Sequence, residues 1–352
     1  MSFIDLSTIE RNIRLIRPYT HRAQGQQLYC PAGTVALIPG RGTRPRSTEP
    51  RHGETVQMGP LSKRETPPAL FAVDKNLRVE ALNVGPWVER ANTLGLDHGG
   101  ADRLRGSLPE LAALNPVPSD AVVWATLNLY HTGLQSDVLV SDSFIIALSP
   151  EYFDLDWHEL PVLALAAIVR GWQVIEEVAF RRSEIPLLFG NAGSSLSGRS
   201  LSEPHAQAQL CVQQPALYRA YDENRTWFCE VLARKDLEIP TPENDHLALF
   251  AHPAPEFNYT MLVVARGSIE RLADADPQEM AIMLNTALTR LVRHLGGRPA
   301  YNIIVRGLGA GHLHLEIIPR NTNTKGGAEL AARSATIDVD PKSAKEALAG
   351  SI

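Results

Sequence analysis

One order of elements occurs twice in this chain, and it narrows the fold more than any other feature. The first copy begins with an apolar strand over 144–148. It continues with a helix over 156–181, whose Leu160, Leu163, Ala167, Val174, Ile175 and Val178 recur at helical spacing. A short apolar strand over 185–189 feeds a loop of glycine and hydroxyl residues, and a strand over 206–212 leaves that loop just after His205. The second copy has a strand over 259–264, a helix over 277–295, an apolar strand starting YNIIV at 301, a glycine loop over 307–311 and an alternating strand over 312–319. Asp276 suits the N-cap of the second helix, Pro277 its first position and Gly296-Gly297 its stop. The expected fold class is α+β, built as two tandem halves, each an antiparallel sheet with a packed helix. Two unrelated α+β domains would give the same order. The polar stretch 213–245 places the expected boundary, so the halves cover 1–212 and 213–352.

Outside the repeat, 1–29 reads as a short helix, and 31–68 has the Pro, Gly, Arg and Thr content of a mobile loop. Strands are expected over 70–73 and 78–82, the latter leading into Asn83, and over 121–130. The stretch 91–118 reads as a loop-rich insertion. A Gly-Gly turn at 326–327, a strand near 335–339 and a helix over 341–348 are expected at the end. The net charge of −5 and the lack of a long Lys/Arg block exclude a nucleic-acid groove. Cys30, Cys211 and Cys229 are odd in number and far apart, which argues against a disulfide framework and for a reducing compartment. The first twenty residues carry charges throughout and lack a signal-peptide core. No apolar run reaches the roughly 18 residues of a membrane span. The expectation is a soluble cytoplasmic protein.

The stretch 190–210, GNAGSSLSGRSLSEPHAQAQL, carries the chemistry. Asn191 and Gly193 open it, and small residues let backbone amides approach a phosphate. His205 ends it, and a neutral imidazole is a nucleophile near pH 7. The alternative is a surface loop with an ordinary histidine beside a turn proline. Arg306, next to the second glycine loop, suits a phosphate or an exposed loop position. His312, His314 and Glu316 share one strand face at period two and read either as an ion site or as a hydrogen-bonded face. His98 and His131 are further candidates to line a pocket. His246 reads as a surface turn residue, and the five tryptophans read as core or interface.

Four stretches carry a resemblance: FGNAGSSLSGRSLSEPHAQ (189–207), PENDHLALFAHPAPEFNYTMLVV (242–264), YNIIVRGLGAGHLHLEIIPR (301–320) and GGAELAARSATIDVDPKSAKEAL (326–348). In this order they resemble the galactose-1-phosphate uridylyltransferase family of the histidine-triad superfamily. The resemblance implies two histidine-triad-like halves and a ping-pong nucleotidyl transfer through a covalent nucleotidyl-histidine. It places His205 on the nucleophile and Gln207 on the glutamine that holds a phosphate oxygen. Asn191, Gly193 and Ser200 fall in the loop around the α-phosphate, and Asn83 on a nucleotide-binding asparagine. A main-chain carbonyl at Glu203 is the expected partner of the second His205 nitrogen, fixing the tautomer whatever that side chain is. Arg306, His312 and His314 complete the expected substrate-binding set, and Glu203 joins His205 and Gln207 in the catalytic one.

Departures from the family pattern are informative. Glu203 stands where the family has the first histidine of His-Pro-His, Cys30 lacks a second thiolate three residues on, and Tyr152 stands at a further ligand histidine. In the second half, Thr226 precedes Cys229 and Ser268 replaces a histidine. Zinc takes four N, S or O ligands, so both structural zinc sites are expected to be lost and no cofactor is expected. Val84 replaces the aspartate after Asn83, which leaves base, sugar and acceptor open. The implied partners are a nucleotide or nucleotide-sugar and a small phosphorylated acceptor, on a homodimer, with no nucleic acid and no membrane. Two alternatives stay open: hydrolysis, phosphorolysis or another pathway reaction at His205, and a non-catalytic nucleotide-binding scaffold.

Overall fold

The structure is a computed structural model. It describes residues 4–23, 26–30, 33–37, 60–61, 63–96, 100–132, 134–135, 138–193, 195–198, 201, 203–242, 244–320 and 335–350. Strands run in the order β1 (His21–Ala23), β2 (Gln26–Cys30), β3 (Gly33–Leu37), β4 (Ala69–Asp74), β5 (Val79–Ala81), β6 (Ala121–Leu127), β7 (Tyr130–Thr132), β8 (Leu134–Gln135) and β9 (Val138–Leu148). They continue with β10 (Ile185–Ala192), β11 (His205–Cys211), β12 (Leu247–Ala251), β13 (Met261–Ala265), β14 (Tyr301–Arg306) and β15 (His314–Pro319). The helices are α1 (Leu6–Ile16), α2 (Gly85–Thr93), α3 (Gly100–Ala112), α4 (Val162–Arg181), α5 (Ala216–Glu223), α6 (Thr226–Ala233), α7 (Pro277–Leu295) and α8 (Pro341–Gly350). Antiparallel pairing dominates, and the class is α+β. Among the described residues no helix is long and apolar enough to cross a membrane.

Two compact units divide the chain. The first comprises Met1–Leu155, Ala167–Leu187 and Ser200–Pro215, the second Asp156–Ala166, Leu188–Arg199 and Ala216–Ile352. In the first, β5, β4, β6, β9 and β11 lie side by side in that order, every pair antiparallel. Register assigns the faces. His205 pairs with Ala147, Ala147 with Trp124 and Trp124 with Ala72, so these side chains share one face. Ile145, Ala147, Trp124, Ala72, Ala69 and Leu82 form a buried cluster there. Ile146 points the other way, toward α4, where a Cβ on Gly171 would meet it at 3.1 Å. The Trp172 indole donates to the main-chain oxygen of Gln207 at 3.1 Å, tying α4 to β11.

The second unit carries β12, β13, β15, β14 and the later part of β10 in that order, again antiparallel. Gly190 in β10 lies against the fully buried Trp157; a Cβ would sit 2.5 Å from the indole, so the ring excludes any larger residue. Helix α7 starts and stops as its sequence predicts. Asp276 accepts from the amides of Gln278 and Glu279, Pro277 opens the first turn, and Gly296 closes the helix at φ 72°. Its buried face is Met280, Met283, Leu284, Ala287, Leu288 and Leu291.

Several expectations are corrected. The stretch 91–118 is largely helical: α3 buries Leu104, Leu108 and Leu111, a 4- and 3-residue spacing hidden among Gly, Asp, Arg and Pro. The helix expected over 156–181 is split at Pro161. A short turn at Trp157–Glu159, capped by Asp156, precedes α4. The polar stretch 213–245 folds into α5 and α6 before reaching β12. No strand forms over 335–339; there Asp338 and the Val339 amide bond the side chain of Asn258 instead. Residues 33–37 form β3, while 38–59 and His98 lie outside the described residues.

Candidate active site

In the first unit, His205 is the opening residue of β11, and Pro204 brings the chain into the strand. The His205 Nδ1 lies 2.8 Å from the main-chain oxygen of Glu203. A carbonyl only accepts, so Nδ1 carries the proton and Nε2 keeps a lone pair. This is the partner expected from the sequence. The Gln207 amide nitrogen lies 3.3 Å from Nε2 and donates to it. Gln207 is two residues along β11 and therefore on the same face. The ring is 2% exposed, and its two nitrogens meet a carbonyl and an amide. Glu203 is 1% exposed and enters the arrangement through its main chain.

Asn83 follows β5, which lies four strands from β11 in the same sheet. Four strand spacings of about 4.8 Å put it about 19 Å from β11 along the sheet. Its Oδ1 accepts from the Gly85 amide and its carbonyl from Asn115. Its side chain shapes the turn into α2. The side chain of His131 and all of Ser200 lie outside the described residues.

In the second unit, Asn191 lies near the end of β10 and Gly193 follows the strand. Asn191 pairs across the strands with Asn302. Gly193 holds φ 69°, and a Cβ there would lie 2.2 Å from the Pro299 carbonyl. Both the backbone conformation and the space demand glycine. Gly193→Ala is expected to cost about 2 kcal/mol or more; a chemical-denaturation midpoint unchanged from wild type would contradict this.

His314 repeats the His205 geometry. Its Nδ1 donates to the carbonyl two residues earlier, His312 at 2.9 Å. The surroundings differ. His314 is fully buried against Phe228 and Tyr221, with ring centroids 4.7 Å away in each case, and its Nε2 has no hydrogen-bond partner among the described residues. Two residues on stands Glu316 in place of a glutamine. Arg306 donates to one of its oxygens at 2.7 Å and the Tyr221 hydroxyl to the other at 2.8 Å. Burial alone would raise the Glu316 carboxyl, but His252 and Arg306 outweigh it and hold the group far below the usual carboxylate range. Arg306 is buried in an ion pair, which corrects its reading as an exposed loop arginine.

The same bonds decide whether this cluster suits a metal. His312 Nε2 is bonded to the Ala265 carbonyl at 2.9 Å, His314 Nδ1 is spent on His312, and the Glu316 oxygens are taken by Arg306 and Tyr221. These bonds occupy one nitrogen of each histidine and both Glu316 oxygens. Among the described residues no group of three or more His, Cys, Asp or Glu is placed to hold one.

Burial, and then the nearby Arg306 charge, push the His314 ring down to about 3. An unfolded histidine titrates near 6.5, so between pH 6.5 and 3 the unfolded chain binds a proton that the folded ring refuses. The contribution of His314 is complete above about pH 6.5 and is lost as the pH falls, at up to about 1.4 kcal/mol per unit. His314→Gln is expected to flatten the acid limb of the stability curve; denaturation midpoints between pH 4 and 7 with identical slopes in both proteins would contradict this.

No protein-family model matches the chain, and no curated protein matches its sequence. Solved structures do resemble it. A uridylyltransferase is similar at TM-score 0.56 and 19% identity, over 65% of this chain and 84% of that one. A galt-like protein from Arabidopsis thaliana is similar at 0.55 and 17%, over 65% and 84%. An ADP-glucose phosphorylase from Arabidopsis thaliana, solved with bound ADP-glucose, is similar at 0.60 and 16%, over 93% and 99%. The fold is uridylyltransferase-like. Within this uridylyltransferase-like fold, the histidine–x–glutamine pair of β11 and the histidine–x–glutamate pair of β15 are held by the same main-chain device. Reasoning from sequence overlooked Asn302, although an asparagine inside the apolar run YNIIV was a visible signal. It also overlooked Tyr221, which lies in the segment read as a boundary.

Proposed function

We propose that the protein is a nucleotidyl-transferring enzyme that works through His205. The observation that carries this reading is the bond from His205 Nδ1 to the Glu203 carbonyl, which presents Nε2 as a lone pair beside the Gln207 amide. Nε2 attacks the α-phosphorus of a nucleoside diphosphate sugar or similar donor. The bond from phosphorus to the bridging oxygen breaks, and the leaving phosphate takes the electron pair. The nucleotidyl group stays on Nε2, the Nδ1 proton stays against the carbonyl, and the Gln207 N–H transfers its bond to a phosphoryl oxygen. A phosphate oxygen of the acceptor then attacks the same phosphorus, and the P–N electron pair returns to the ring. Positioning and charge stabilisation carry such a transfer, so this reading needs no cofactor. It takes the protein as a cytoplasmic homodimer. The matching histidine turns at 205 and 314 support its descent from two tandem histidine-triad-like halves, 1–212 and 213–352.

A second reading, phosphorolysis, shares the first step and uses orthophosphate as acceptor. The likeness to the ADP-glucose phosphorylase, which extends over 93% of the chain, favours it. One experiment tests both. The protein is incubated with UDP-glucose or ADP-glucose labelled at the α-phosphorus, and an acid-labile, base-stable adduct is sought. Discharge of that adduct by hexose 1-phosphate supports uridylyltransferase-type transfer, and discharge by orthophosphate supports phosphorolysis. An adduct that persists in His205→Ala, or no adduct in wild type with either donor, sinks the covalent reading.

A further inference from the structure

Amide groups have two unlike ends, and which end faces outward decides what they bind. In the second unit, the side chain of Asn302 is 8% exposed and has three partners. Its nitrogen lies 2.7 Å from the Ser197 main-chain oxygen and 2.7 Å from Asn191 Oδ1. Its oxygen lies 3.3 Å from an Arg320 guanidinium nitrogen. Nitrogen and oxygen of an amide are usually told apart only by such partners, and here two of the three leave no choice. A carbonyl can only accept and a guanidinium can only donate. Asn302 must therefore point NH2 at Ser197 and oxygen at Arg320. Its second N–H is then aimed at Asn191, which must answer with its oxygen. The NH2 of the half-buried Asn191 is turned away from Asn302, and it makes no hydrogen bond with a described residue.

We propose that Asn302 is a positioning residue that sets the polarity of the Asn191 amide, so that Asn191 offers N–H donors to a phosphoryl group. Ser197 lies in the loop that follows β10, and Gly193, at the start of that loop, sits against the Pro299 carbonyl just before β14. The strand carrying Asn302 thus fixes both the loop and the amide beside it. The inference rests on the reading above only in taking the ligand of Asn191 to be a phosphoryl oxygen. An anion is the fitting ligand, because the bond from Asn302 occupies the Asn191 oxygen and leaves its two N–H donors to the ligand.

The near-isosteric Asn302→Asp tests it. A carboxylate accepts only, so Asn191 must turn its NH2 inward and present its oxygen to the ligand. Calorimetric titration with AMP, UMP and inorganic phosphate is compared with titration of the parent nucleosides. Binding of the phosphorylated probes is expected to weaken about tenfold or more, the scale of exchanging a charge-assisted bond for a repulsion, while nucleoside binding changes little. Asn191→Ala, which removes the NH2 without adding a charge, should weaken binding of the same probes even if Asn302→Asp folds poorly. Equal loss of nucleosides and nucleotides, unchanged phosphate binding in either variant, or a wild type that binds none of the phosphorylated probes overturns the proposal. An adduct on His205 together with unaltered binding in Asn302→Asp defeats this inference alone. Selective loss of phosphate binding without any adduct defeats only the transferase reading.

Discussion

His205→Ala is expected to remove protein labelling and to cut turnover of the nucleotide-sugar about a thousandfold or more, while the protein stays folded. The size follows from the geometry. The variant loses the atom that would bond to phosphorus, and neither Gln207 nor the Glu203 carbonyl can replace it, since an amide and a main-chain oxygen are poor nucleophiles. Gln207→Ala leaves the nucleophile in place and removes one donor, so its expected loss is smaller, about a hundredfold. Rapid-quench measurement of the first half-reaction separates the two: His205→Ala gives no burst, and Gln207→Ala gives a slow one. A His205→Ala protein within tenfold of wild type, with its circular dichroism intact, would show that the chemistry lies elsewhere.

Glu316→Ala is expected to destabilise the protein by about 3–5 kcal/mol. Arg306 and Glu316 have side chains only 5% and 9% exposed, and they bond at 2.7 Å. Removing the carboxylate leaves a buried guanidinium without its counter-charge and takes an acceptor from Tyr221. Removing both charges is another matter. Arg306→Met with Glu316→Leu is expected to recover most of the loss, because the desolvation of both ions disappears together. Urea denaturation of the singles and the double closes the cycle. Single variants that cost less than about 1 kcal/mol would mean that the pair is solvated in solution.

Legibility in the sequence followed the range of the interactions. Helix α7 was readable because its cap, its first-turn proline and its terminal glycine are all within a residue or two of its ends. The carbonyl partner of His205 was readable because it lies two residues back on the same chain. The fate of Arg306 was not, since its burial depends on Glu316 across a strand pair and on Tyr221 of α5. Asn302 meets Asn191 and Ser197, which are 111 and 105 positions away. Helix α3 was missed for a different reason. Gly, Pro and Asp gave 91–118 the composition of a loop, and that outweighed the spacing of three leucines.

The bond from His205 to the peptide oxygen at position 203 has an evolutionary consequence. Every residue type brings the same oxygen to that place, so point substitution there cannot rewrite the protonation pattern of the ring. The imidazole keeps its poise whatever side chain stands at 203, and only a change in chain path, such as an insertion or deletion between 203 and 205, would disarm it.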